Sequence, residues 1–183
     1  LKNTNKYSVE QTPTIALFNN YFGGGMGSVV FQTIRESKAL AYSTYAYYAQ
    51  PSKKENKYFI GAYVGTQVDK FNDAILGMNE LLNVLPESSK SFETAKQSLL
   101  KSIASERIID AGILNSYMTA KRLGNTVDVR KHVFEQIPKL TFNDLNNFHK
   151  KEFSEKPYVY CIVGNDADLN MEDLKKLGDF KKL

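Results

Sequence analysis

Two residues of this 183-residue sequence stand where hydrogen-bond donors could be brought together for chemistry: Arg35 and, seven positions on, Tyr42. A guanidinium fork donates to carbonyl or carboxylate oxygens. A phenol hydroxyl can donate to an oxyanion. On spacing alone the pair reads better as a surface arginine on a helix and a tyrosine packed in a sheet. Other chemistries find less. The only histidines, His132 and His149, lie seventeen residues apart on what read as different helices, and H-x-x-E-H does not occur. Both are expected to be solvated or capping side chains, and no metal is expected in this chain. The single cysteine, Cys161, cannot form an internal disulfide; it falls in an apolar run and reads as a buried, inert thiol. No Ser-His or Cys-His constellation is visible. The acidic pairs Asp166/Asp168 and Glu172/Asp173 read as helix caps and solvated surface. The chain alone is expected to catalyse nothing.

Upstream of Arg35 runs Gly23-Gly24-Gly25-Met26-Gly27-Ser28. Backbone N–H groups at a helix start attract anions. No strand precedes the run, however, and G-x-x-x-x-G-K-[ST] does not occur. A tight turn between two helices, using the conformational freedom of glycine, is the better reading.

The elements that must position these residues follow from periodicity. Thr12 caps a helix with Pro13 at its first helical position, and Ile15, Leu17, Phe18, Tyr21 and Phe22 are its apolar residues before Gly23. Ser28 caps a second helix to about Lys38, with Val30, Ile34 and Phe31 as core candidates. Residues 41–50 and 57–66 read as antiparallel strands around the polar turn 51–56. In the first, Ala46 and Tyr48 are expected to share a face with Tyr42, while Tyr45 and Tyr47 point the other way. Tyr58, Ile60, Ala62 and Val64 share one face of the second. From Val68 to Leu85 the spacing turns helical. A long helix begins at Ser88 or Ser89, breaks around Asp110–Gly112 and resumes toward Gly124. Helices over 129–137 and 142–153 follow, the latter opened by a capping box at Thr141 and Asp144. The run Tyr158-Val-Tyr-Cys-Ile-Val-Gly164 reads as a central strand, and a short helix over 170–177 comes last.

That order predicts one α+β domain over residues 1–183, a mainly antiparallel sheet with helices packed on one face. The net charge of +4 is spread over loops and the C-terminal lysines, which argues for a solvated surface and against nucleic acid. No apolar run reaches the length of a membrane span. The start at Leu1 and the polar first dozen residues suggest a piece of a longer polypeptide.

The stretch NNYFGGGMGSVVFQTIRESKALAYS, residues 19–43, resembles the glycine loop, helix and strand of the pitrilysin-type zinc metallopeptidases. That family includes insulin-degrading enzyme and mitochondrial processing peptidase. Its domains come in pairs: one carries the inverted zinc motif, and the other has lost it and supplies an Arg and a Tyr across a chamber. The pattern of that second half, R-x-x-x-x-L-(G/A)-Y, is met by Arg35-Glu36-Ser37-Lys38-Ala39-Leu40-Ala41-Tyr42. The resemblance implies a processing-peptidase-like fold with Zn2+ in a partner domain of the same or another chain, and an unfolded peptide as substrate. It implies that Arg35 holds substrate carbonyls and that Tyr42 stabilises the oxyanion. Gly23, Gly24 and Gly25 become candidate loop contacts to substrate. The family's domain opens with two strands before its first helix. Residues 1–11 carry only a weak strand signal, so part of the sheet is expected to be missing or reduced, leaving an edge open to self-association. The expected compartment is periplasm or cytoplasm. The competing expectation is a structural subunit of the core-protein type, with the fold kept and hydrolysis lost.

Overall fold

A three-stranded antiparallel sheet and one buried helix organise the chain. The strands are β1 (Lys2–Lys6), β2 (Ser43–Ala49) and β3 (Lys57–Gly65), in the spatial order β1-β3-β2. β2 and β3 pair in register from Ser43↔Gly65 to Ala49↔Phe59, around the turn expected from the polar residues between them. This computed structural model describes residues 2–107, 109, 111–165, 167–179 and 181–182, with the side chains of 2–4 and 111 left aside.

Helix α1 (Thr12–Phe22) starts one residue earlier than a Thr12 cap would give: Gln11 is the N-cap, Thr12 is already helical, and Pro13 falls in the first turn. Ile15, Leu17, Phe18, Tyr21 and Phe22 are all buried, so its apolar surface wraps well beyond one stripe. Such a helix must be surrounded. α1 packs between β2 and helices α3 (Ser89–Ser105), α5 (Val129–Gln136) and α6 (Phe142–Glu152). Its Phe18 ring stands 4.9–5.0 Å from the rings of Phe22, Phe148 and Phe153, forming an aromatic centre. The Tyr21 hydroxyl donates to the Pro86 carbonyl and accepts from Ser88 N–H, which fixes the turn into α3. Between β3 and that turn lies α2 (Phe71–Asn83), entered through a 3-10 turn at Val68–Lys70.

Caps fall where side-chain chemistry places them. Ser88 caps α3 and Asp128 caps α5. Thr141 and Asp144 form the full reciprocal box on α6, and those bonds hold the Asp144 carboxyl below the usual carboxylate range. Helix α4 (Ala111–Leu123) ends at Gly124, whose φ of +71° lies in the left-handed region. The break expected around Asp110 is bracketed by the end of α3 and the start of α4, although Asp110 itself lies outside the described residues. Helix α7 (Met171–Lys175) is tied to α2 by Asn72 Nδ2 donating to Asp173 at 2.8 Å.

The sheet's inner face meets the helices through Ala46, Tyr48, Tyr58 and Ile60, all buried. A buried carboxylate stitches its end: Glu152 on α6 accepts from the Asn5 amide of β1 at 2.9 and 3.0 Å and from the Tyr48 hydroxyl at 3.1 Å. One N-terminal strand is therefore present, pairing with β3 where the sequence carried only a weak signal.

Three expectations are corrected. The run at 158–164 is no central strand: among the described residues it joins no ladder, and Val159 and Val163 are 87% and 95% exposed. β3 is flanked on both sides, and α1 closes the outer edge of β2, so neither offers the run a partner. Cys161 is consequently an exposed thiol rather than a buried one. Tyr42 does not share the face of Ala46 and Tyr48: β2 begins at Ser43, and the Tyr42 side chain is 86% exposed.

The candidate site at Arg35 and Tyr42

The segment Phe31–Ser37 is π-helical, a wider turn than the α-helix expected from the apolar spacing. Such turns are rare and gather at functional sites. Ser28 accepts from Phe31 N–H at 3.4 Å and donates to the Gly25 carbonyl at 2.7 Å, so it caps the entry as its sequence position implies. Val30 and Ile34 anchor the segment in the core. Phe31, one of the core candidates, turns instead toward Arg35.

Beyond Ser37 the chain reverses at Ala39, whose φ is +49°, a conformation that non-glycine residues seldom adopt. The reversal is held from three directions. Leu40 N–H donates to the Ile34 carbonyl at 2.8 Å, the Thr66 hydroxyl to the Leu40 carbonyl at 2.5 Å, and the Lys70 ammonium to the Ala39 carbonyl at 2.9 Å. Strained backbone that is tied this firmly marks a place where geometry is being imposed. Tyr42 N–H then donates to the Gly65 carbonyl at 2.9 Å, extending the ladder by one bond while its ring swings out to solvent.

The outcome is that Arg35 and Tyr42 meet. The guanidinium carbon lies 4.8 Å from the Phe31 ring centroid and 5.6 Å from that of Tyr42. Both rings attract the cation. A weaker contact at 3.8 Å links its Nε to Glu36. The two side chains open onto a cleft of about 580 Å³, whose wall also includes Tyr63, Thr66 and Lys70. A planar cation lying over aromatic faces can direct its N–H edge to carbonyl oxygens, and the exposed Tyr42 brings a phenol to the same cleft.

Gly23, Gly24 and Gly25 do not line this cleft. Gly23 passes so near β2 that a Cβ would fall 1.9 Å from the Ala46 carbonyl oxygen, and one on Gly24 would fall 2.8 Å from that of Asn19. Gly25, at φ +97°, faces open space. Two of the three thus serve packing and one serves the turn.

The histidines lie on α5 and α6, as their spacing suggested, but His149 is a core residue rather than a solvated one. Its Nε2 donates to the Leu81 carbonyl at 2.9 Å, and burial pushes the imidazole pKa down against that bond's opposing pull. His132 Nε2 stands 3.8 Å from the Glu10 carboxylate. Among the described residues no three His, Cys, Asp or Glu side chains come together as a metal site.

The profile of the peptidase M16 inactive domain matches residues 2–99, just over half of the chain and the whole of this site. The chain belongs to the peptidase M16 family. It is 32% identical over 168 residues to the uncharacterized zinc protease YmxG of Bacillus subtilis, an alignment covering 87% of this chain and 39% of that protein. Two solved structures share its fold, each at 18% identity. A conserved protein from Enterococcus faecalis superposes with a TM-score of 0.66 over 83% of this chain and 36% of its own. The peptidase M16 inactive domain from Pseudomonas fluorescens does so with 0.61, over 78% and 34%. The chain thus spans well under half the length of these relatives.

The sequence marked Arg35 and Tyr42 but missed Phe31, Thr66 and Lys70. Phe31 was within reach, because residues four apart on a helix are neighbours. Thr66 and Lys70 act through their bonds to the reversal, which no local pattern announces.

Proposed function

We propose that this M16 domain is the zinc-less half of a zinc endopeptidase, closing a chamber over an unfolded peptide held by a zinc-bearing domain of the same or a partner chain. The observation that carries the proposal is the Arg35 guanidinium held between Phe31 and Tyr42 at the mouth of an open cleft. Zinc bound by the partner domain would supply the Lewis acid and the activated water. From this side Arg35 holds substrate carbonyl oxygens, and the Tyr42 hydroxyl donates to the oxyanion as charge builds on it. The exposed position of Gly25 leaves room for a loop contact to substrate.

The test is kinetic, in the full-length protein. Tyr42→Phe removes a donor that acts mainly in the transition state, so kcat should fall about 10²–10³-fold with little change in KM. Arg35→Ala removes contacts already made in the ground state, so KM should rise. Arg35→Lys should not restore it, because an ammonium has neither the fork nor the flat face that lies against the rings. Tyr42 is so exposed that its substitution should leave the melting temperature unchanged. Wild-type turnover in both folded variants would overturn the proposal in favour of an assembly role.

A further inference from the structure

The outer face of the sheet, which the helices leave uncovered, carries a row of aromatic rings. Tyr63 and Tyr45 stand directly opposite each other across β3 and β2, with centroids 5.1 Å apart and planes within 19°. Tyr45 and Tyr47 follow at 6.0 Å, then Tyr47 and Phe59 at 6.2 Å. All four are between 38% and 46% exposed. Glycines keep two of the rings low: a Cβ on Gly61 would lie 2.5 Å from the Tyr47 ring, and one on Gly65 would lie 2.9 Å from the Tyr63 hydroxyl. Tyr63 also lines the cleft of Arg35 and Tyr42, so the row runs into that cleft without a break.

We propose that this row is a peptide subsite, receiving alternate aromatic or large aliphatic side chains of an extended substrate whose backbone enters the cleft. The proposal rests on reading that cleft as the peptide site. Three observations choose the occupant. The Tyr45–Tyr47 and Tyr47–Phe59 steps, 6.0 and 6.2 Å, lie close to the two-residue repeat of an extended chain, about 6.6–6.8 Å, so alternate side chains can meet these rings, with Tyr63 beside Tyr45 widening one contact. Backbone pairing to β2 is closed, because the Asn19 amide donates to the Tyr48 carbonyl and accepts from its N–H, and Gly23 covers Ala46. A ligand lying along β2 is therefore read through its side chains. Finally, rings already ordered by stacking lose little freedom on contact, while their hydroxyls stay wet, which suits a ligand that comes and goes.

The probes are two unstructured peptides of equal length and charge around one cleavable core. One has Phe at alternate positions, the other Ser at the same positions. The full-length protein is compared with its Tyr45→Thr/Phe59→Thr variant, which keeps β-branched residues in both strands. Binding is read by fluorescence anisotropy on zinc-depleted protein, and cleavage as kcat/KM. The wild type should prefer the Phe peptide, and the variant should lose roughly tenfold of that preference, the scale of two aromatic contacts. The change should appear in Kd and KM, with kcat and the Ser peptide unaffected. Should the double variant fail to fold, Tyr45→Thr alone should lose roughly threefold on the same grounds. An unchanged preference overturns the proposal. So does an equal loss on both peptides with a change in assembly mass, which would mean that a partner domain covers the row. Because binding is measured without turnover, a failure of the Arg35 and Tyr42 reading leaves its own, separate signature in kcat.

Discussion

At the scale of single residues, the glycine run divides into positions with different physical duties, and this can be measured. Gly23→Ala would drive a methyl group into the Ala46 carbonyl, so the end of α1 or strand β2 must shift. The expected loss is about 1–3 kcal/mol, as for other overpacked sites. Gly25→Ala meets nothing in space but inherits a φ of +97°, a strain costing about 1 kcal/mol. Urea unfolding of the two variants should rank them in that order; equal midpoints would show that β2 gives way freely. The sequence made the run legible as a turn, because glycines between two helical patterns have few other uses. It could not say which glycine touches another strand, since that contact joins residues twenty-three apart in sequence. Arg35 and Tyr42 were legible through their spacing within a longer pattern. The ring beneath the guanidinium was signalled only by its spacing of four from Arg35, since Phe31 otherwise reads as one more apolar residue of a helix.

At the scale of elements, the junction of α1 with β2 depends on one amide. Asn19 offers Tyr48 both a donor and an acceptor, at 3.0 and 2.8 Å, in the manner of a neighbouring strand. Asn19→Ala leaves both backbone groups without this partner in a partly buried place. We expect a loss of about 1–3 kcal/mol in chemical denaturation, with the fold retained by far-UV circular dichroism. Loss of less than half a kcal/mol would mean that water replaces the amide at no cost. Strands β2 and β3 were readable because alternation of faces survives any register, and α1 because Pro13 and Gly23 punctuate it. The 158–164 run was misread for a related reason. Apolar character reports that a segment could be buried, whereas pairing depends on whether the tertiary fold carries the segment alongside a strand, which no local pattern states. The π-helical pitch of residues 31–37 was equally hidden, since Val30 and Ile34 face the core on either pitch.

At the scale of the molecule, helices α2 and α6 are joined through His149, whose ring is fully buried and stacks on Phe153 at an interplanar angle of 6°. Its pKa is lowered by burial, so the folded chain takes up a proton less readily than the unfolded one. The unfolded imidazole titrates near pH 6.5, so this group's contribution is fully present above about that pH. It is lost as the pH falls toward the folded pKa, by at most about 1.4 kcal/mol per pH unit. The melting temperature should therefore drop between pH 7.5 and 5.5. His149→Gln, whose amide can still donate to Leu81, should flatten that part of the curve. Parallel curves for the two proteins would place the pH dependence elsewhere.

A surface proposed to gather unfolded peptides faces a hazard of its own. Stretches rich in aromatic and aliphatic residues are also those that stack into cross-β fibrils, and an open strand beside them would serve as a template. Here the collecting face and the backbone edge next to it are kept apart. The aromatic row faces outward, while Asn19 and Gly23 deny β2 to any incoming chain. Peptides held on the aromatic face can lie beside β2 without pairing to it, so on that side the domain would concentrate sticky sequences without templating their polymerisation.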